Sequence, residues 1–359
     1  MATMMIGSLI PETFFQGIVQ TWLLWLMAAG AIVVLVVGAD RAVHAAVKLA
    51  KAMGLPTIVI GATVVSLGTT APEACVSVNA ALHNEPGLSL GNGVGSIICN
   101  AAMIFGICCC IGGIPKDRFV LRRHGRLQLA AGLLLAGVLA VLAWFAGGFS
   151  GVVIPRWVGI CFVLLLIGYL WLSARWADEH PEILREKAFV GPRRKRSGGE
   201  AMLNAGLLVL GLALVVGGSN VLVGSVGQLC LRYGVPENVL AVTLVAFGTS
   251  LPELVTGITS IIKGHPGLLV GNIIGANILN VLFVVGASSA AVPLNVPAEF
   301  YYLHVPVMLA ALLILRRAII ARGDRFRRRH GVVLVGLFVA YYATMLVLVG
   351  SGHLTAEKV

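Results

Sequence analysis

The sequence predicts an all-α polytopic membrane protein with ten transmembrane helices, arranged as two inverted five-helix repeats with broken helices at the centre. Three observations support this fold class. The 359 residues are 58% apolar and 11% charged, which leaves too little polar surface for a soluble protein of this size. Apolar runs long enough to cross a hydrocarbon core of ~30 Å recur along the whole chain. One pair of sequence blocks also occurs twice, 180 residues apart.

The apolar runs predict the spans and their division into two halves. We place the spans near residues 21–43, 57–82, 89–112, 127–147, 152–174, 201–231, 236–262, 268–291, 300–315 and 331–350. We expect residues 21–176 to form the first five-helix repeat, residues 177–200 a cytoplasmic linker, and residues 201–350 the second repeat, with the duplicated motifs at 61–106 and 241–286. Because five is odd, the second repeat enters the bilayer with the opposite orientation. Such pairs place a binding site near the midplane.

The duplicated blocks lie in the second and third spans of each half. The first copy reads GTTAPE at residues 68–73 and GNGVGSIICN at residues 91–100. The second copy reads GTSLPE at residues 248–253 and GNIIGANILN at residues 271–280. The offset stays constant through both blocks, so each position in one half has a defined equivalent in the other.

The net charge of +11 follows the membrane topology, which argues against a nucleic-acid partner. All but three of the 26 Lys and Arg residues fall in alternate loops between the predicted spans, the exceptions being Arg156, Arg232 and Lys358. By the positive-inside rule, the loops that carry the basic residues face the cytoplasm. We therefore expect a multi-pass protein of the cytoplasmic membrane, surrounded by lipid, with both termini outside.

The seven cysteines lie within or at the ends of apolar runs, where we expect them to pack as small side chains. No His or Cys partner stands at the short spacings that zinc sites use. The sequence therefore predicts no cofactor. It also pairs no nucleophile with a base beside the acidic residues of the spans, so we expect a protein that is not an enzyme.

Asp40, Glu73 and Glu253 are acidic residues within the predicted spans. A carboxylate at the centre of a bilayer costs ~2.5–3.5 kcal/mol or more, which makes it a candidate functional residue. Glu73 and Glu253 occupy equivalent repeat positions, and each follows a proline, which suits the first turn of a helix. We therefore predict helix breaks at residues 66–71 and 246–251, with a restart at the proline. Asp40 has no acidic equivalent, and we expect it to make a polar contact at a helix end.

Oxygen donors accompany both glutamates. The hydroxyl residues directly before them are Thr69, Thr70, Thr249 and Ser250. Backbone carbonyls of an unwound segment would add further oxygen atoms. Hard oxygen ligands beside a carboxylate suit Ca²⁺ or Na⁺ and do not suit a soft metal.

The third span of each repeat supplies a polar helix face opposite the glutamates. Residues at intervals of four share this face, namely Asn92, Ser96 and Asn100 in the first repeat and Asn272, Ala276 and Asn280 in the second. The glycine pairs Gly91/Gly95 and Gly271/Gly275 would let these helices approach the broken spans closely. The alternative is that the asparagines only form hydrogen bonds between helices.

At these blocks the sequence resembles the cation/calcium exchanger superfamily, and specifically the compact prokaryotic sodium/calcium exchangers, over essentially residues 21–350. The resemblance implies four cation sites in a central diamond, and first and sixth helices that slide across the core during alternating access. It implies that Glu73 and Glu253 are the principal calcium ligands, shared with sodium, and that Asn100 and Asn280 fill the other corners. The further sodium ligands that it implies are Thr69, Thr70, Ser96, Thr249 and Ser250, with the backbone carbonyls of Ser66 and Ala246.

Two positions depart from the family pattern. Prokaryotic relatives commonly carry Asp at the position of Asn280, and the potassium-dependent exchangers also do, so Asn280 argues against that branch. Ala276 replaces a serine hydroxyl, which removes one side-chain donor from a peripheral sodium site. The linker at 177–200 is too short for the calcium-sensing domains of the animal exchangers.

We therefore expect a monomeric antiporter that exchanges Ca²⁺ for Na⁺ across the cytoplasmic membrane by alternating access. The two glutamates give the site a formal charge of −2, which one Ca²⁺ or two Na⁺ would neutralise, so the two cargoes compete. An H⁺-driven Ca²⁺ antiporter is the nearest alternative, because a buried Glu can be protonated. A cation channel would need a continuous hydrated path, which a single midplane site between inverted repeats disfavours.

Overall fold

The computed structural model describes residues 12–53, 55, 57–111, 114–179, 198–233 and 248–350, which are almost entirely helical. In the first half the elements are α1 (Glu12–Gln16), α2 (Thr21–Met53), α3 (Thr57–Ile60), a π segment (Gly61–Val65), α4 (Ser66–Leu82), α5 (Pro86–Ile98), a π segment (Cys99–Ile104), α6 (Phe105–Ile111), α7 (Arg118–Ala146), β1 (Val153–Ile154) and α8 (Arg156–Asp178). In the second half they are α9 (Gly198–Arg232), α10 (Leu251–Ile262), α11 (Pro266–Leu279), a π segment (Asn280–Val285), α12 (Gly286–Ala291), β2 (Leu294–Asn295), a π segment (Phe300–His304), α13 (Val305–Ile320) and α14 (Arg328–Gly350).

Within these ranges, nine helical stretches are long and apolar enough to cross a membrane. α10 is a shorter apolar helix of 12 residues that forms the end of the predicted span 236–262. Residues 236–247 of that span lie outside the described residues. The chain is thus a multi-pass integral membrane protein whose helices agree with the prediction of ten spans. α2 continues to Met53, ten residues past its predicted end at 43, because the stretch after that point is rich in Ala, Leu and Lys, which favour helix.

The two halves repeat the same order of helices. α2, α4, α5, α7 and α8 have their equivalents in α9, α10, α11, α13 and α14. α5 and α11 both begin at a proline, at the first helical position, where the missing N–H is tolerated. Both helices then pass into a π segment of six residues. The irregular backbone therefore occurs at the same place in each repeat.

The third span of each half lies at the centre of the molecule. In the span Pro266–Ala291, 94% of the most apolar stretch is buried, and in the span Pro86–Ile111 the share is 78%. The corresponding share in α2 is 33%, so α2 exposes most of its surface to the lipid side. The duplicated sequence blocks consequently occupy the protein-lined interior, where a polar side chain can be kept away from lipid.

The equivalent helices α2 and α9 pack against each other along their lengths, and small residues bring the two backbones together. A Cβ atom at Gly211 would lie 2.6 Å from the backbone nitrogen of Ala42. Buried apolar side chains of the pair, such as Ala46 and Leu208, form a cluster separate from the main core, together with Ile60, Val65 and Leu268. The pair therefore packs on the central helices through this smaller cluster.

The two halves are also joined at both ends of the bundle. β1 pairs with β2 in antiparallel register, with Val153 opposite Asn295. At the other end, Pro115 and Arg325 form an antiparallel bridge, flanked by a hydrogen bond of 2.8 Å from the backbone N–H of Phe326 to the carbonyl oxygen of Ile114. Each contact joins the connection between the third and fourth spans of one repeat to the connection between the fourth and fifth spans of the other, so the two contacts are equivalent to each other.

The predicted break at residues 66–71 is wrong in the first repeat. α4 is continuous from its first residue through Pro72. The irregular backbone lies one turn earlier, in the π segment Gly61–Val65, where the N–H of Ser66 donates to the carbonyl five residues back. A proline within a transmembrane helix can be accommodated by a local π adjustment that satisfies the remaining backbone groups. The helix therefore widens upstream and does not break at the threonines.

The second repeat follows the prediction more closely over the residues that are described. Thr249 and Ser250 form a turn, and α10 begins at Leu251, with Pro252 in its first turn. Residues 246 and 247 of the predicted break lie outside the described residues. The two glutamates thus stand on helices that are irregular in different ways, although their sequences are equivalent.

Candidate ion site

Glu73 and Glu253 are both fully buried, one in α4 and the other in the first turn of α10. The two carboxyl groups are close enough to interact electrostatically. None of their four oxygen atoms has a hydrogen-bond partner among the residues that the structure describes. Burying a carboxylate without a partner is costly, so this arrangement requires a cation or a proton at the carboxyls.

Asn100 and Asn280 are also fully buried, and they are the second and the first residue of their π segments. The amide nitrogen and oxygen of both side chains have no partner within the described ranges. α4, which carries Glu73, packs against the π segment that begins at Asn280, and α10, which carries Glu253, packs against the π segment that contains Asn100. Each glutamate helix therefore faces the asparagine segment of the other repeat.

Unpaired buried polar atoms are rare in native proteins, and each costs about 1–3 kcal/mol. Among the described residues, eight such atoms belong to four side chains at equivalent repeat positions. Thr70 and Ser250 add two further buried hydroxyls without a partner among the described residues. The donor set consists of carboxylate, amide and hydroxyl oxygens, which hard cations such as Ca²⁺ and Na⁺ prefer.

A symmetric pair of hydrogen bonds joins the repeats beside the carboxyls. The Thr69 hydroxyl lies 3.3 Å from the side-chain oxygen of Asn272, and the Thr249 hydroxyl donates to the side-chain oxygen of Asn92 at 3.1 Å. These two contacts are equivalent under the 180-residue offset. The amide of Asn92 also donates to the backbone carbonyl of Glu73 at 3.0 Å. Asn92 and Asn272 thus form hydrogen bonds between helices, which was the alternative role considered for the asparagines of the polar face.

Of the remaining candidate residues, the structure describes three and leaves one outside the described ranges. Ser66 and Ser96 are buried beside these helices, and the carbonyl of Ser66 lies 3.4 Å from the Thr69 hydroxyl. Ala276 is fully buried, with no side-chain oxygen to offer. Ala246 lies outside the described residues.

The glycine pairs behave differently in the two repeats. A Cβ atom at Gly275 would lie 2.5 Å from both the carbonyl oxygen of Ala62 and the hydroxyl of Ser66, so α11 contacts the first π segment through backbone. Gly271 is in still closer contact with the carbonyl of Ile58. At Gly95, a Cβ would meet no described atom within 4 Å, so the predicted close approach is not found there.

Asp40 makes a polar contact, as predicted, but it lies within α2, and the helix end at this contact is that of α10. Its carboxylate pairs with the ammonium group of Lys263, which caps the end of α10, and lies 3.5 Å from the Nδ1 atom of His44. The ion pair connects α2 to the helix that carries Glu253. Asp40 is partly exposed and has its own cation, which distinguishes it from the two buried glutamates.

The structure contains two buried histidine–tyrosine pairs that were not predicted from the sequence. His124 contacts Tyr169, and His304 contacts Tyr341. The two histidines are 180 residues apart, which is the signal that could have revealed them. The tyrosines are 172 residues apart, because the second repeat is shorter between the paired residues, and this broken register concealed the pairing.

Comparison with known proteins agrees with the fold and the duplicated blocks. A family model described as "Sodium/calcium exchanger protein" matches residues 23–175 and 203–347. The inner membrane protein YrbG of Escherichia coli is 34% identical over 329 residues, which is 89% of this chain and 95% of the relative. The sodium/calcium exchanger MaX1 of Methanosarcina acetivorans is 30% identical, over 88% of this chain and 96% of the relative.

Among solved structures, the sodium-calcium exchanger NCX_Mj superimposes with a TM-score of 0.77 at 24% sequence identity. The superposition covers 90% of this chain and 99% of that structure. The two chains therefore share one fold from end to end. Because the family model spans most of both halves, and relatives of this identity match nearly the whole length, the chain belongs to the sodium/calcium exchanger family of membrane transport proteins.

Proposed function

We propose that this protein is a secondary active antiporter that exchanges Ca²⁺ for Na⁺ across the cytoplasmic membrane by alternating access. The observation that carries the proposal is the pair Glu73 and Glu253, fully buried and without a described hydrogen-bond partner at any carboxyl oxygen. Two carboxylates balance one Ca²⁺ or two Na⁺. Either Ca²⁺ or Na⁺ can neutralise such a site, but the site does not hold both together. The exit of one ion is therefore coupled to the entry of the other.

In this proposal the two glutamates are the principal Ca²⁺ ligands and also serve Na⁺. Asn100 and Asn280 complete the central layer, since their amide groups are buried and free of described partners. The further oxygen ligands that we propose are Thr69, Thr70, Ser96, Thr249 and Ser250, with the carbonyls of Ser66 and Ala246. All of them belong to one chain, which supports a functional monomer.

The packing of α2 and α9 supports alternating access. The pair meets the rest of the molecule through small apolar clusters, which are separate from the main core that holds α5 and α11. At the crossing of α2 and α9, Gly38 and Gly211 bring the two backbones into direct contact, so the pair can move as one unit. We propose that the pair moves across the core and exposes the site to each side of the membrane in turn, as inverted repeats allow.

The coupling ion is the finer point of the proposal. At a buried carboxyl without a basic partner, either Na⁺ or H⁺ can replace a bound divalent cation. An H⁺-driven Ca²⁺ antiporter is therefore the second candidate. Purified protein in sealed vesicles separates the two. We expect an imposed Na⁺ gradient to drive ⁴⁵Ca²⁺ uptake when both sides are buffered at one pH and a protonophore is present. Uptake driven by a pH gradient in Na⁺-free medium would instead establish H⁺ coupling.

A further inference from the structure

The two histidine–tyrosine pairs have closely similar geometry. The Nδ1 atom of His124 lies 3.3 Å from the hydroxyl oxygen of Tyr169, and that of His304 lies 2.8 Å from the hydroxyl oxygen of Tyr341. In both pairs the ring centroids are 5.9 Å apart and the rings meet edge to face. All four side chains are buried. The contact is therefore a feature of the repeat and not an accident of one half.

The Tyr169 hydroxyl reaches the irregular backbone beside the ion site. It donates to the carbonyl oxygen of Ala62 at 3.0 Å. Ala62 lies in the π segment Gly61–Val65, in which the regular backbone hydrogen-bond pattern of the helix is interrupted. The same carbonyl faces Gly275 of α11, where an added Cβ would lie 2.5 Å away. The carbonyl is thus held between a hydroxyl donor and the backbone of the neighbouring repeat.

The direction of these hydrogen bonds fixes the state of His124. A tyrosine hydroxyl has one proton, and Tyr169 gives it to Ala62. His124 can then bond to the hydroxyl only as a donor, so its ring carries the proton on Nδ1. The three groups form a directed chain from α7 through α8 to the π segment.

We propose that Tyr169, oriented by His124, is a positioning residue for the ion site, and that it holds the first π segment in the register that directs Ser66 and Thr69 toward the ions. A π turn contains one more residue than an α turn, and its loss would rotate the following residues by about 100° relative to α3. Ser66 follows the π segment directly, and the carbonyl of Ser66 and the hydroxyl of Thr69 are 3.4 Å apart. The inference rests on the proposed function for its transport readout.

The first experiment compares Tyr169→Phe with Tyr301→Phe. Tyr301 also donates its hydroxyl to a distant backbone carbonyl, that of Leu139 at 3.3 Å, but this acceptor lies in α7 and not in the π segment Gly61–Val65, so Tyr301 is a matched control. For Tyr169→Phe we expect about tenfold weaker half-saturation by Na⁺ and Ca²⁺, with the maximal rate within about twofold, as the loss of one buried hydrogen bond predicts. Unchanged affinities in Tyr169→Phe, or an equal loss in Tyr301→Phe, would overturn the proposal.

The second comparison tests the role of His124. Asn places an amide donor near the position of Nδ1, whereas Leu has none, so His124→Asn should retain most of the affinity and His124→Leu should lose about as much as Tyr169→Phe. The double variant with Leu and Phe should be no weaker than either single variant, because the residues act in one chain. Additive losses would contradict that chain.

The third measurement does not depend on transport. Nitrogen-15 NMR of histidine-labelled protein, with the His124 signals assigned by difference from His124→Asn, reports which ring nitrogen carries the proton. We expect Nδ1–H in the parent protein and a changed signal in Tyr169→Phe. A neutral ring protonated only on Nε2 in the parent would overturn the inference. If the parent shows the Nδ1–H tautomer and the variant shows the changed signal, but the parent has no Na⁺-driven Ca²⁺ flux, the proposed function fails and the positioning contact stands.

Discussion

At the scale of single residues, the distribution of charge determines what the site can hold. Glu73 and Glu253 are buried with no ion-pair partner among the described residues, while Asp40 within α2 and Glu179 at the end of α8 are paired with Lys263 and Arg123. An unpaired buried carboxylate needs a counter-charge from elsewhere, because the low-dielectric interior provides little solvation. The site is therefore suited to a mobile cation and not to a permanent protein partner.

Neutralising either glutamate tests this directly. Glu73→Gln and Glu253→Gln preserve the shape of the side chain but leave one carboxylate to balance a divalent ion. We expect each change to reduce Na⁺-driven Ca²⁺ uptake in vesicles by at least about 100-fold, since the amide cannot compensate the second charge in a low dielectric. The folded state should be retained, because neither carboxyl accepts a hydrogen bond from the described residues.

Glu299→Gln is the matched control for this experiment. Glu299 is 5% exposed and stands at the start of the ninth predicted span, away from the duplicated blocks. Its neutralisation removes the same charge from a buried position, and we expect transport to stay within about twofold of the parent. Substantial uptake by the Glu73 or Glu253 variants would exclude these residues as the charge-balancing ligands.

The glutamates could be predicted from sequence, whereas their helix geometry could not. Duplication and the cost of a carboxylate in lipid identify Glu73 and Glu253 without a structure. The pairing of His124 with Tyr169 depends on how α7 packs against α8, which a gap in the repeat register conceals. The conformation around Pro72 also depends on tertiary packing, because the helix can accommodate the missing N–H donor either by breaking or by widening upstream.

At the scale of elements, the contact between α11 and the first π segment distinguishes the two repeats. Gly271 and Gly275 bring α11 against the backbone at Ile58 and Ala62, while Gly95 has open space before it among the described residues. Small residues let helices in a membrane pack closely, so this side of the site is held more tightly. The sequence shows the glycine pairs as equals, because closeness depends on the conformation and not on the motif.

Gly275→Ala and Gly95→Ala therefore form a matched pair. The added methyl at position 275 would overlap the carbonyl of Ala62 and the hydroxyl of Ser66, and overpacking of this kind costs about 1–3 kcal/mol. We expect Gly275→Ala to lower the thermal unfolding temperature in detergent and to impair transport. Gly95→Ala should leave both within experimental scatter, because Ala also favours helix over Gly. Equal effects of the two changes would mean that both glycines are packed alike.

The ion pair between Asp40 and Lys263 links the α2–α9 unit to α10. Both side chains are partly exposed, so the pair contributes only about 0.2–1 kcal/mol. The equivalent positions carry Asn220 and His83, which gives the other repeat no permanent ion pair of this kind. We expect the pair to stabilise one of the two arrangements of α2 relative to α10. Asp40→Asn should then shift the apparent Ca²⁺ affinity by up to about fivefold.

A charge swap distinguishes this linkage from simple damage. Asp40→Lys or Lys263→Asp alone places like charges together and should change the apparent affinity at least as much as Asp40→Asn. The double swap restores attraction and should recover most of the parent affinity, and high salt should reduce all of these differences. Failure of the double swap to recover, with both single variants folded, would show that the contact has no part in the conformational balance.

At the scale of the whole molecule, two equivalent halves enclose the candidate ion site, and their connections are joined at both ends of the bundle. The inverted arrangement follows from an odd number of spans per repeat and a family fold that extends over 90% of the chain. Symmetry of this kind allows one half to adopt the packing of the other, which is how a single site can open to either side. The direction of the whole bundle in the membrane is set separately, by its basic loops.

Labelling with an impermeant thiol reagent tests that direction. The exposed native cysteines Cys75 and Cys161 and the partly exposed Cys110 and Cys230 are first replaced by Ser, and one new cysteine is then introduced by Val190→Cys in the linker or Thr355→Cys near the C-terminus. Because all but three of the basic residues fall in loops on the side of the linker, we expect the reagent applied outside intact cells to modify position 355 and to spare position 190 until the membrane is permeabilised. The opposite pattern would reverse the proposed orientation and place both termini in the cytoplasm. It would leave the inverted repeat intact, because the relation between the halves does not depend on which side the chain begins.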